Sequence, residues 1–145
     1  MHEAGHAAVC LHFGVEFDQV TIRQFDGEVS RRLSESDQRS MSQAAREEIV
    51  IALAGAAAQR MFYPDQPEVE SFFCSRDDQA YVTKIISNPE YRISEAYRKE
   101  ADANAKSLVS ELREIIAVIA NALLERHSLT FAEVKRIYDS RREAR

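Results

Sequence analysis

Residues 2–13 carry Ala7, Ala8 and Leu11 at helical spacing and stop at Gly14, which predicts a short first helix. Val15 to Ile22 then alternates loosely and holds Val, Phe, Val, Thr and Ile, as a strand does. Phe25-Asp26-Gly27 is a turn signal, and Glu28 to Leu33 is the natural returning strand of a small hairpin. Ser34 to Ser40 is polar and loop-like. A second helix is predicted over 42–62, where Ala45, Ile49, Ala52, Leu53 and Ala56 recur on one face. Gly55 falls inside it, at a cost of up to ~1 kcal/mol relative to Ala. The stretch Ala54 to Ala58 has almost no side-chain bulk. Another helix backbone can come close there, and the first helix is the natural partner.

Tyr63 to Phe73 holds two prolines and several acids, which predicts a loop. A third helix is expected from near Ser75 to Ser87, with Ser75-Arg76-Asp77-Asp78 as its capping box. Asn88 then caps a long helix that has Pro89 in its first turn and reaches about Arg126. Leu108, Leu112, Ile115, Ile116, Ile119 and Leu123 draw one apolar stripe along it. Thr130-Phe131-Ala132-Glu133 is a capping box that opens a short last helix. The pattern predicts a mainly α domain of the α+β class, with one small hairpin after the first helix. No linker, repeat or low-complexity tract divides residues 1–145, so a single domain is expected.

Composition narrows this reading without changing it. A chain of 145 residues can bury a core without disulfides or metal staples. Hydrophobic residues at 45% and charged residues at 30% are a globular balance. A net charge of −5 argues against nucleic acid as the main partner. The basic pairs Arg31-Arg32 and Arg141-Arg142 are short and suit a solvated surface. Cys10 and Cys74 show no framework spacing, which fits a reducing cytosol. The longest apolar run, Ile49 to Ala58, falls far short of the ~20 residues of a membrane span. No signal peptide precedes the first motif, and a cytoplasmic location is expected.

The chemistry concentrates in His2-Glu3-Ala4-Gly5-His6. Residues four apart on a helix lie about 40° apart, so His2 and His6 share a face. Two imidazoles so placed can bind one zinc ion, with Glu3 beside them. Glu3 should not ligate. It should take a proton from water at the zinc and later pass it to a leaving amine. A helix opening at residue 2 leaves its first N–H groups unpaired, so this end is expected to fray.

A catalytic zinc needs a third protein ligand and an open position. His12 lies where the metzincin pattern HExxHxxGxxH places its last histidine, but Val9 stands where that pattern needs a glycine. An unbroken helix carries His12 about 240° past His6, away from the metal. Glu47 and Glu48 on the second helix are candidates of the thermolysin kind. Asp77 and Asp78 are the others. If Ser75 and Asp78 form a capping box, Asp78 is occupied and Asp77 is left to reach a metal.

His2 to Ala7 resembles the opening of the FtsH-type zinc metallopeptidases, the proteolytic domains of membrane-bound ATP-dependent proteases. Val15 to Ile22 resembles that family's strand after the motif helix, and Ala52 to Ala58 its Ala-Gly-x-Ala-Ala segment. Ser75-Arg76-Asp77 resembles the Ser-x-Asp carrying its third zinc ligand, and Leu123 to Ile137 its closing helix pair. The resemblance implies His2, His6 and Asp77 as ligands of Zn2+ and Glu3 as the catalytic base. The family commonly has an aliphatic residue and an alanine where Asp78 and Tyr81 stand, so a one-residue shift to Asp78 stays open. Gln59 replaces a glutamate common after the Ala-Ala pair.

No Walker-type phosphate loop occurs in the sequence, so the likeness is to the peptidase domain alone, as a free-standing relative or a fragment. The expected activity is a zinc-dependent endopeptidase acting on peptides or unfolded protein segments. The alternative is an inactive peptidase-like domain serving as an interaction or regulatory module. Assembly into a homo-oligomer is implied by the resemblance only.

Overall fold

A computed structural model of the chain describes residues 1–22, 31–32, 41–65 and 68–144. The fold is mainly α with small antiparallel pairings, as the sequence pattern predicts. The first helix, α1 (His2–His12), ends where Gly14 takes φ +69, a left-handed conformation that costs glycine little. The Gly14 N–H bonds the Leu11 carbonyl at 3.1 Å, and the Val15 N–H bonds the Cys10 carbonyl at 2.8 Å.

The expected strand over 15–22 splits at Asp18 into β1 (Glu16–Phe17) and β2 (Gln19–Thr21). β1 pairs antiparallel with β3 (Arg31–Arg32), which falls inside the expected returning strand. The Phe25-Asp26-Gly27 turn and the Ser34 to Ser40 loop lie outside the described residues. β2 pairs instead with β4 (Ser128–Thr130), matching Val20 to Leu129. β4 is too short to announce itself by alternation.

α2 (Met41–Phe62) is the central element, and every residue from Glu48 to Ala58 is buried. α3 (Glu68–Ser87) begins well before Ser75, so the expected loop reaching Phe73 is a helix from Glu68 onward. Glu68 and Glu70, two of the acids that suggest a loop, are residues that a first helical turn favours. Ser75 therefore lies inside a helix and cannot cap one.

Asn88 does cap, accepting from the Glu90 N–H at 3.0 Å, but it opens only a single 3-10 turn (Pro89–Tyr91). Arg92 at φ 56 ends that turn, and buried Ile93 takes the chain into the core. The expected long helix is thus α4 (Tyr97–Glu111) followed by α5 (Arg113–Arg126). Between them Leu112 is fully buried, and its N–H still bonds the Leu108 carbonyl at 2.9 Å. The apolar stripe therefore runs through the joint. Leu112, Ile115, Ile116, Ile119 and Leu123 are buried, and Leu108 is partly so. α6 (Phe131–Glu143) opens with the expected reciprocal capping box between Thr130 and Glu133. No helix among the described residues is long and apolar enough to cross a membrane.

Candidate metal centre

The site forms where α1 crosses α2. A Cβ on Gly5 would stand 2.7 Å from the Ala58 Cβ and 2.8 Å from the Ala54 carbonyl oxygen. A Cβ on Gly55 would stand 2.5 Å from His6 Nε2 and 2.7 Å from His2 Nε2. Each glycine thus clears space for the opposite helix: Gly5 for the backbone of α2, Gly55 for the two imidazoles. The bulk-free face at Ala54 to Ala58 is the tight crossing that the sequence predicts. The histidine rings meet edge to face with centroids 4.7 Å apart.

His6 is 5% exposed, and its Nδ1 lies 2.7 Å from the Ile51 carbonyl oxygen. A carbonyl only accepts, so Nδ1 carries the proton and donates it. Nε2 then points at Asp78, with Oδ2 3.2 Å away. His2 Nε2 reaches the same Oδ2 at 2.8 Å. The ligand atoms of His2, His6 and Asp78 all lie within 4.8 Å of one another. With Nδ1 committed to Ile51, a neutral His6 would set one lone pair against a carboxylate lone pair. The contact is favourable only if the ring takes a second proton or a cation stands between them.

The electrostatics come from this packing. Burial acts on Asp78 first and pushes its carboxyl up. The hydrogen bonds from His2 and His6 outweigh it and hold Asp78 well below the usual carboxylate range. Burial disfavours the charged form of His2 and leaves its pKa lowered, although Asp78 opposes this. His6 is also buried, but Asp78 more than compensates and its pKa is raised. Burial pushes Glu3 up to about 7, against the pull of His6 and with the help of the Asp78 charge. Glu3 Oε1 stands 4.0 Å from His2 Nε2. Its Oε2 and the His2 Nδ1 are buried without a hydrogen-bond partner among the described residues.

Two nitrogens and one carboxylate oxygen are a donor set that suits zinc, and three protein ligands leave a coordination position open. An orphaned buried acceptor on Glu3, next to these donors, fits a site that takes up an ion together with water. His6 has its outer hydrogen bond already in place, the usual means of fixing a ligand's tautomer and ring orientation.

Of the residues predicted from sequence, His2, Glu3 and His6 come together here. Asp77 does not: it is exposed, and Asp78 takes the place expected for it. The capping box that would have occupied Asp78 does not exist, because α3 starts nearly two turns earlier. Asp78 shares a helix face with Val82 and Ile85, both buried, so its row points inward. That apolar spacing was the available signal. His12 is exposed, with its ring against Phe13 at a centroid distance of 5.2 Å. Glu48 is buried and accepts from the Tyr81 hydroxyl at 3.2 Å. Glu47 lines a separate cavity of about 340 Å³ with His12 and Tyr97. The Ile51 carbonyl carries no side-chain signal at all. No protein-family model matches the chain, and no curated protein matches it.

Proposed function

We propose that the chain is a zinc-dependent endopeptidase related to the FtsH-type peptidase domains, cutting peptides or unfolded protein segments. One observation carries the reading: His2, His6 and Asp78 converge on a point, and Glu3 lies 4.0 Å from the first of them. His2, His6 and Asp78 would hold the ion. When bound, zinc supplies Lewis acidity, lowering the pKa of water toward ~7 and stabilising charge that develops on a carbonyl oxygen.

The protein's own groups divide the remaining work. Glu3, beside His2, would accept a proton from water and return it to the leaving amine. Asp78 stays ionised at neutral pH. His6 keeps its Nδ1 proton on Ile51 and so presents Nε2 as a lone pair. The proposal extends to a cytoplasmic location and to a homo-oligomer.

Elemental analysis and a casein digest test this together. Purified protein should carry about one zinc per chain, lost in His6→Ala and Asp78→Ala. It should cut unfolded casein, and Glu3→Gln should keep the zinc but not the activity. Zinc-loaded protein that leaves casein intact, indistinguishable from Glu3→Gln, sinks the proposal. An inactive interaction module is the second reading, in which His2 and His6 bond Asp78 directly at 2.8 and 3.2 Å and tie α1 to α3. It requires that Glu3→Gln be tolerated.

A further inference from the structure

The third ligand comes from α3, which packs on α2, so the reach of Asp78 toward α1 depends on how α3 is rotated on that surface. The face of α3 toward α2 carries Asp78 and Val82. The neighbouring row, Gln79 and Thr83, carries a different kind of contact. Arg98, in the first turn of α4, donates from Nη1 to Gln79 Oε1 at 2.9 Å and from Nη2 to Thr83 Oγ1 at 2.8 Å. Its Nε donates to Glu95 Oε1 at 2.7 Å, which orients the guanidinium from behind. Thr83 in turn donates its hydroxyl proton to the Gln79 carbonyl at 3.0 Å, so its lone pair is free to face Arg98. All three nitrogens of the guanidinium are engaged, and two of them grip residues four apart on one helix. Gln79 is the immediate neighbour of Asp78.

We infer that Arg98 is a positioning residue for the metal centre. Its planar fork locks the rotation and height of α3, and thereby the reach of Asp78 toward His2 and His6. A helix turning about its axis by one residue's share would carry Asp78 off the histidines and bring exposed Asp77 round. The Tyr81 hydroxyl on Glu48 braces the same helix against α2, so Arg98 acts from the opposite flank. A lysine cannot substitute, because a single ammonium is a point charge and does not span two acceptors in a fixed plane.

The inference rests on the proposed metal site, and the test separates the two. Zinc affinity of the full chain is measured by competition with a chromophoric chelator, well below the melting temperature of each variant. The wild type should bind zinc, and Arg98→Ala should bind about 10-fold more weakly, the lower end of the loss seen when a direct partner of a ligand is removed. Arg98→Lys should not restore affinity. In a Gln79→Ala/Thr83→Val background, Arg98→Ala should have no further effect on affinity. Co2+ substituted for zinc should show an altered visible spectrum in Arg98→Ala, since the ligand geometry moves. Wild type that binds no zinc overturns the metal site itself. Wild type that binds, with Arg98→Ala binding equally and showing the same spectrum, overturns the positioning role alone. A merely structural arginine would lower the melting temperature and leave both readouts in place.

Discussion

Gly55→Ala adds a single methyl group at the point where two helices and two ligands meet. On an exposed helix it would stabilise by up to ~1 kcal/mol, through helix propensity. Here the new Cβ would lie 2.5 Å from His6 Nε2, 2.7 Å from His6 Cε1 and 2.7 Å from His2 Nε2. Ordinary contact begins near ~3.5 Å, so both rings must retreat by roughly 1 Å. His6 has little freedom to do so, since its Nδ1 is held by Ile51 at 2.7 Å. A shift of that size would disturb the contacts to Asp78 at 2.8 and 3.2 Å. Overpacking costs about 1–3 kcal/mol and the two charge-assisted hydrogen bonds about 1.5–3 each, so losing both leaves a net cost of about 3–8 kcal/mol after the propensity gain. The effect on metal is larger, because coordination tolerates only about 0.2 Å. Urea denaturation of metal-free protein and a chelator competition assay measure the two effects separately. The expected result is a lower midpoint and zinc affinity reduced about 100-fold or more. A variant that is more stable than wild type and binds zinc normally would refute the packing argument outright.

Exchanging the two adjacent acids should give opposite results: Asp78→Asn loses zinc and Asp77→Asn keeps it, as metal analysis will report. Gly5→Ala should destabilise by about 1–3 kcal/mol in urea, because its Cβ would press on the Ala54 carbonyl oxygen at 2.8 Å; unchanged stability would mean that the helices cross with more slack than this distance allows. In metal-free protein, Glu3→Gln should stabilise at pH 8 by about 2–3 kcal/mol and by much less at pH 5. The sign comes from a folded pKa raised to about 7: folding favours protonated Glu3, and this advantage is lost as pH rises through that value. A pH-independent difference would discount the burial of its charge. Thr130→Ala should cost about 1 kcal/mol through loss of the cap to Glu133, read as a shift in urea midpoint with no change in zinc binding.

Helices with a long repeat were legible in the sequence, and so was the close crossing at Gly55, because a bulk-free stretch in a helix has few other uses. The Thr130 box was legible because cap chemistry is local. The start of α3 was not, since Glu68 and Glu70 sit among prolines and serve a helix start as well as a loop. That ambiguity reaches the ligand. A cap at Ser75 would commit Asp78 to the helix terminus, whereas its spacing to Val82 and Ile85 marks it as inward. β4 was invisible because three residues, Ser128 to Thr130, are too few to show alternation, and their partner β2 is more than a hundred residues away. The Arg98 fork joins α3 to α4 through side chains that read individually as ordinary surface residues.

Half of the shaping of the proposed centre is done by main chain. The Ile51 carbonyl fixes the tautomer of His6, and the absent side chain of Gly55 makes room for both rings. An alanine scan would register position 51 as a plain core residue and would test position 55 only by adding atoms. Apolar side chains of similar volume at 51 leave the carbonyl in place. A comparison of diverged copies of this chain should therefore find position 51 variable and position 55 restricted, although both serve the same imidazole.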